Sequence, residues 1–293
     1  MSRPHLFHRD LLRVLRRHRL FALPWVQRLV ALHTAADGAS PRFVRFLDRP
    51  RRWSPVHAWG IFDAATYRAG LHYKGLLNCK TPFDLSLYAH LLWELKPRTV
   101  IELGALHGGS ALWFADQLAA ICGGGAVHSF ERHPELLSPR ARHPLLTFHK
   151  ADLTDLRSLK PALFRSLAHP WLIVDDAHVQ VARVVRFLDR FAQVGDYYVI
   201  EDVTDDFDSA EYERLGRTLD ALDYRVDTAY TDNFGLNLTC APNGWLRKMS
   251  PRRSSPARRR HSRERKTRPT PRTRSAQRPR ERRRSRRAAS RSA

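Results

Sequence analysis

The chain has 293 residues, 43% of them hydrophobic, and a formal net charge of +22. The charge is uneven: Lys248–Ala293 holds 20 Lys and Arg against 2 Glu, a net of +18, so the preceding 247 residues carry only +4. Cys79, Cys122 and Cys240 are too few and too scattered for a disulfide framework or a zinc site, and no apolar run reaches the ~18 residues of a membrane span.

The N-terminus lacks an apolar core ahead of a small-residue cleavage site, so no secretory leader is expected. In residues 6–33, Leu11, Leu12, Leu15, Leu20, Leu23, Val26, Leu29, Val30 and Leu32 approximate a helical stripe, and Pro24 divides it into two pieces. Arg13, Arg16, Arg17 and Arg19 lie on the other face, which reads either as solvated or as a contact with an anionic membrane. Residues 34–60 are punctuated by Gly38, Pro41, Pro50 and Pro55 and read as loop. Arg49, Arg51, Arg52 and Trp53 form a basic surface turn within it. Thr81 or Asp84 can cap a helix that runs to about Leu95, with Pro82 early in it and Pro97 as its stop.

From Thr99 the pattern alternates between short apolar runs and helical stretches. Strands are expected at Thr99–Leu103, Ala126–Phe130, Leu145–His149, Trp171–Val174 and Tyr197–Ile200. Helices are expected at Gly109–Ala120, about Leu156–Leu167, around Val179–Ala192 and near Ser209–Leu222. Such alternation indicates an α/β fold with a mostly parallel sheet and right-handed crossovers. Two last strands, Tyr224–Tyr230 and Gly235–Cys240, read as an antiparallel hairpin at the edge. Beyond Ser250 aliphatic residues almost vanish, and the segment is expected to be disordered. The chain thus divides into an N-terminal extension (1–72), a central domain (73–249) and a basic tail (250–293).

The chemistry sits at the strand ends, where open α/β sheets bind their ligands. Glu102-Leu-Gly104-Ala-Leu-His-Gly108-Gly109-Ser110 couples an acid to a turn of small residues that opens a helix. Its spacing departs from the dinucleotide fingerprint, and the acid favours a cationic amino acid part with a ribose over a pyrophosphate. Glu131, closing the next strand, suits a ribose diol, and Asp152, after the third, suits an adenine amino group. Each of these acids also reads as a helix cap.

Asp175 closes one strand, and Glu201 and Asp202 close the strand expected beside it. Three carboxylates in one crevice repel one another unless they are protonated or hold a cation, and an all-oxygen set selects Mg²⁺ or Ca²⁺. The alternative is that Asp176 and Asp202 simply cap the helices that follow. His178, three residues after Asp175, is placed to act as a general base or is structural.

Taken together, Glu-Leu-Gly-x-x-x-Gly-Gly-Ser, Asp-Asp-Ala-His (Asp175–His178) and Gly-Asp-Tyr-x-x-Ile-Glu-Asp (Gly195–Asp202), with Pro242–Arg247, resemble the cephalosporin hydroxylase/rhamnosyl O-methyltransferase family over about residues 73–247. The resemblance implies a Rossmann-like class I methyltransferase fold with a seven-stranded sheet. It also implies an O-methyltransferase that uses S-adenosylmethionine and Mg²⁺ on a sugar, glycolipid or glycosylated natural product. Glu102, Gly104, Gly109, Ser110, Glu131 and Asp152 would then form the cofactor pocket. Asp175, Glu201 and Asp202 would be the metal ligands and His178 the base. The second strand ends in Ser-Phe-Glu-Arg where that family leads one to expect Asp, so the ribose contact falls to Glu131.

Two other readings stand beside this one. An oxygenase, as half of the family name suggests, would need two His and one carboxylate around iron. A non-catalytic reading rests on the tail, whose charge would attract nucleic acid or anionic lipid without sequence preference. A cytoplasmic location is expected, with membrane association and a homo-oligomer as open additions.

Overall fold

A computed structural model describes residues 41–52, 72–203 and 208–251, all within a unit ending at Arg253. The helical pair expected at 6–33, Trp53 and the tail beyond Pro251 lie outside the described residues. The first elements are strands β1 (Phe43–Val44), β2 (His72–Tyr73) and β3 (Leu76–Leu77), then helix α1 (Pro82–Leu95). The alternating body follows: β4 (Thr99–Leu103), α2 (Gly109–Cys122), β5 (Ala126–Glu131), β6 (Leu146–Lys150), α3 (Pro161–Ser166), β7 (Trp171–Asp175), α4 (Val181–Leu188) and β8 (Tyr197–Ile200). It ends with α5 (Ser209–Ala221), β9 (Tyr224–Asp227), α6 (Thr228–Thr231) and β10 (Trp245–Lys248).

Among the described residues the main sheet has eight strands in the order β1-β9-β10-β8-β7-β4-β5-β6. Strands β4 to β8 pair in parallel, and β10 is antiparallel to both β8 and β9. From β4 the chain moves outward to β5 and β6, then returns to build β7 and β8 on the other side. The order therefore reverses between β4 and β7, which is where an open α/β sheet forms its ligand crevice.

Local chemistry explains the boundaries. Thr81 caps α1, its Oγ1 accepting from the Asp84 amide at 3.2 Å, with Pro82 in the first turn. Lys96 closes that helix in the left-handed conformation, and Pro97 bars its continuation. Strand alternation then splits the core into two faces. Ile101, Ile173, Tyr198 and Ile200 pack with Phe164, Val184 and Leu215 on the α3–α5 side. Val100, Val174, Val199 and Trp245 pack with Leu91, Phe114 and Leu118 on the α1–α2 side.

Three expectations change. The last strand is Trp245–Lys248 rather than Gly235–Cys240. The Leu236/Leu238 alternation imitates a strand, but polar neighbours fix this stretch as turns. The Asn237 amide donates to Asp232 (3.1 Å), Thr239 Oγ1 to Asp84 (2.5 Å) and the Cys240 amide to Asp84 (3.0 Å). β9 stops at Asp227, which caps α6 by accepting from the Ala229 amide at 3.0 Å. The segment expected as loop supplies β1, an eighth strand paired with β9. Within it Arg49 is no surface residue: it bonds Asn243 (2.9 Å) and Asp232 (2.6 Å).

Candidate active site

The turn after β4 is built on contacts that only glycine permits. Gly104 has φ +92°, and a Cβ there would lie 2.9 Å from the Asp176 carbonyl oxygen. At Gly109 a Cβ would lie 2.1 Å from the Leu77 carbonyl oxygen, because the β2–β3 hairpin crosses the first turn of α2. Gly109 is therefore needed first by the fold. Glu102 is buried beneath this turn. Ser129 Oγ donates to its Oε2 at 2.5 Å. Burial raises its pKa. Its Oε1 is buried with no hydrogen-bond partner among the described residues, and so is Oδ1 of Asn78, just beyond the hairpin.

Glu131 clamps the same turn. Its Oε2 accepts from the amides of Ala105 (3.1 Å) and Leu106 (2.8 Å), and its Oε1 from the His133 amide (2.8 Å). These bonds hold Leu106 at φ +49°, a conformation that a leucine adopts only under constraint. Asp152 stands more exposed at the end of β6. Its Oδ1 accepts from the amide and hydroxyl of Thr154 (2.9 and 2.7 Å), and Arg132 lies 3.3 Å away.

The acids of β7 and β8 do not gather as the sequence suggested. Asp175 shares the face of Trp171 and Ile173, where its fully buried carboxylate accepts from Tyr198 Oη at 2.9 Å. Glu201 continues the opposite face, that of Tyr197 and Val199, and accepts from Tyr88 Oη (2.6 Å) and Lys80 Nζ (2.7 Å). Strand parity sends the two side chains to opposite sides of the sheet. Since Asp175 pairs with Ile200, the neighbour of Glu201 across the register is Asp176. Lys80 Nζ accordingly bonds Asp176 as well, at 2.8 Å.

Among the described residues, a different trio has the spacing of a cation site. Ligand atoms of Asp176, His178 and Asp202 all lie within 4.8 Å of one another. His178 Nε2 stands 3.1 Å from Asp202 and 3.4 Å from Asp176. Asp202 Oδ1 is buried and has no partner among the described residues. His178 and Asp202 both adopt positive φ (+55° and +54°), backbone strain that concentrates at functional sites.

Electrostatics follows from this packing. Burial disfavours the His178 imidazolium, but its hydrogen bonds to Asp176 and Asp202 prevail and raise its pKa to about 11. Burial also opposes ionisation of Asp176, yet Lys80 and His178 hold it down to about 2. Burial lifts Asp175 to about 6 and pushes Asp202 upward. One imidazole and two carboxylates differ from the two-His, one-carboxylate set of iron oxygenases.

The geometry thus brings Asp202 and His178, which the sequence singled out, together with Asp176, which it offered as a helix cap, and with Lys80 and Tyr88, which it did not single out. Parity along β7 and β8 was the available signal for Asp176. Lys80 and Tyr88 carry no local signal, since they reach the site only through the docking of α1.

Residues 65–249 match the family described as rhamnosyl O-methyltransferase/CmcI. The rhamnosyl O-methyltransferase of Mycobacterium bovis (strain BCG / Pasteur 1173P2) is 31% identical over 186 residues, covering 58% of this chain and 75% of that protein. The rhamnosyl O-methyltransferase of Mycobacterium leprae (strain TN) is 31% identical over 189 residues, covering 59% and 80%. Among solved structures, CmcI with Mg and SAM aligns with a TM-score of 0.55 at 26% identity, over 72% of this chain and 93% of the other. CmcI with SAH gives 0.53 at 28% identity, over 69% and 95%.

Proposed function

The chain belongs to the rhamnosyl O-methyltransferase/CmcI family, and from that premise we propose that it methylates a sugar hydroxyl, using S-adenosylmethionine as donor and Mg²⁺ at the acid cluster. The observation that carries this reading is the contact at Gly104. The donor turn and the acid cluster lie backbone to backbone there, which puts the two side by side at the carboxyl end of the sheet.

The residues present fit both groups. Two buried acceptors without partners, Glu102 Oε1 and Asn78 Oδ1, suit the ammonium of an amino acid. The uncapped first turn of α2 offers N–H groups to its carboxylate. Glu131 and Asp152, at the ends of β5 and β6, are the acceptors for the ribose and adenine. Asp176 and Asp202 supply carboxylate oxygens to a hard ion, and the orphaned Oδ1 of Asp202 gains a partner by it. This assignment puts Asp176 where the sequence reading had Asp175 and leaves Glu201 with Lys80. When bound, the ion acidifies and fixes a sugar hydroxyl, and the sulfonium supplies the methyl.

The rest of the chemistry belongs to the protein. Once Asp176 and Asp202 are otherwise engaged, His178 loses the partners that keep it protonated. Its Nε2 then takes the hydroxyl proton, a contribution of about 10²–10⁴-fold in rate. Tyr88 and Lys80 immobilise Glu201, and Glu131 immobilises the donor turn, so little reorganisation is left for the reaction itself.

The names of the relatives support a sugar-type small-molecule acceptor, and a rhamnosyl group is the finer choice within it. The tail adds salt-dependent contact with polyanions or anionic lipid in this reading. No helix among the described residues is long and apolar enough to cross a membrane. A cytoplasmic enzyme that meets its acceptor at the membrane surface, as a monomer or a homo-oligomer, is consistent with that. The test is incubation with S-adenosylmethionine, Mg²⁺ and a panel of rhamnosides, read by mass. A gain of one methyl group is expected, and no gain on any glycoside by a protein that binds the donor would refute the sugar acceptor.

A further inference from the structure

Asp84 is a buried acid that the chemistry above does not use. It stands in the first turn of α1 and is 1% exposed. In a capping box, the acid at this position reaches back to the amide of the capping residue. Asp84 instead accepts from the Thr81 hydroxyl through Oδ2 and turns Oδ1 away from its own helix. Oδ1 takes the Thr239 hydroxyl at 2.5 Å and the Cys240 amide at 3.0 Å, both on the turn that leads into β10. Thr239 Oγ1 in turn accepts from the Ala241 amide (3.1 Å) and Trp245 Nε1 (3.0 Å), which ties this turn to β10 as well.

The same turn supports the end of β8. The Glu201 amide still donates to the Asp175 carbonyl of β7 at 3.0 Å, but the Asp202 amide turns the other way and donates to the Cys240 carbonyl at 2.7 Å. Just before it, the Ile200 amide donates to the Gly244 carbonyl at 3.0 Å. A Cβ at Gly244 would lie 2.0 Å from the Ile200 carbonyl oxygen, so turn and strand end are in direct contact. Asp202 leaves the strand at φ +54°, a conformation that persists only where its surroundings enforce it. Cys240 thus holds the backbone of Asp202 by its carbonyl and is itself held by Asp84 through its amide.

We propose that Asp84 is a positioning residue for the divalent ion: by fixing the Cys240 peptide it fixes the backbone of Asp202, and with it the direction in which that carboxylate is presented. Partners behind a ligand orient it and set metal affinity without touching the metal. This inference rests on the Mg²⁺ reading above, in which Asp202 is a ligand, and adds to it a residue that bonds neither ion nor donor.

The test is calorimetric titration of the full chain with Mg²⁺ alone, as wild type, Asp84→Ala, Asp84→Asn and Thr81→Ala. Asp84→Ala should bind Mg²⁺ about 10–100-fold more weakly, while S-adenosylmethionine binding without the ion stays at the wild-type level. Asp84→Asn keeps an acceptor for Thr239 and Cys240 and should remain close to wild type, which separates positioning from the long-range effect of one charge. Thr81→Ala removes the cap of α1 but leaves both bonds to the turn. Its melting temperature should fall while its Mg²⁺ affinity holds, which separates positioning from loss of stability. If Asp84→Ala does not fold, Thr239→Val removes the hydroxyl bond and should weaken Mg²⁺ binding in the same direction. Wild-type Mg²⁺ affinity in a folded Asp84→Ala, or in Thr239→Val where that one is needed, would overturn the inference and leave the metal reading standing. So would Asp84→Asn or Thr81→Ala binding Mg²⁺ as weakly as Asp84→Ala. Absence of any Mg²⁺ binding to wild type would overturn both.

Discussion

Two buried lysines mark opposite ends of the sheet, and they are used differently. At the amino end of β8, Lys248 meets one carboxylate, Asp189 at 2.6 Å, and the Leu222 carbonyl at 2.9 Å. The Tyr224 ring centroid lies 4.9 Å from its ammonium. That is a one-to-one charge pair. At the carboxyl end, Lys80 faces Asp176 and Glu201 with Asp202 close by, so negative charge is left over. Both ends bear the desolvation cost of a buried ammonium. At the carboxyl end the acids outnumber the ammonium, and buried oxygens of Glu102 and Asp202 lack partners among the described residues; that surplus is what calls for a cation and a cationic donor.

The comparison breaks most visibly at His178. His178→Ala should lower turnover by about 10²–10⁴-fold while donor binding and melting temperature stay near wild type, as kinetics and calorimetry would show. Wild-type turnover would remove the base from the carboxyl end. At the amino end, Lys248→Ala removes the buried ammonium from beside Asp189 and should cost about 3–5 kcal/mol in a denaturant titration. The methyl transfer per folded molecule should not change. A loss of specific activity there would erase the division between the two ends.

Gly104→Ala forces a methyl against the Asp176 carbonyl at φ +92°. A destabilisation of about 1–3 kcal/mol is expected, together with weaker binding of both donor and Mg²⁺, because the contact joins their two sites. If one affinity falls and the other does not, the two sites are less tightly joined than the backbone contact implies.

A smaller effect belongs to the β5–β6 edge of the sheet. His128 Nδ1 and His149 Nε2 are 2.9 Å apart, and burial lowers both pKa values from 6.5. The unfolded chain takes up protons first, so this stability is complete above about pH 6.5 and is lost as the pH falls through the folded values. Melting temperature should therefore decline from pH 7.5 to pH 5, and His149→Gln should flatten the decline. An unchanged slope in that variant would assign the acid sensitivity to other groups.

Much of the architecture was legible because it is local. Parallel strands buried on both faces read as continuous apolar runs, and Thr81, Pro82 and Pro97 punctuate α1 unambiguously. The end of the sheet was less so. Leu236 and Leu238 alternate like a strand, and only the distant Asp84, reached through α1, shows why they form a turn. In the site, one position turned on the parity of β7 against β8. Asp175 belongs to the Tyr198 face, and Asp176 meets the Glu201 face. Glu131, expected to meet a ribose, is first a clamp for backbone amides. Lys80 lies 96 residues from Asp176 and 121 from Glu201, separations at which no spacing rule operates.

The central claim is that one crevice between the glycine turn and the Asp176–His178–Asp202 cluster binds donor and ion together. It is tested most directly by titrating S-adenosylmethionine into the full chain with and without Mg²⁺, on wild type and Asp202→Asn. Donor binding should persist in both proteins, with an additional Mg²⁺-dependent heat in wild type that Asp202→Asn abolishes. Identical Mg²⁺ heats in the two proteins, or no donor binding in either, would contradict it.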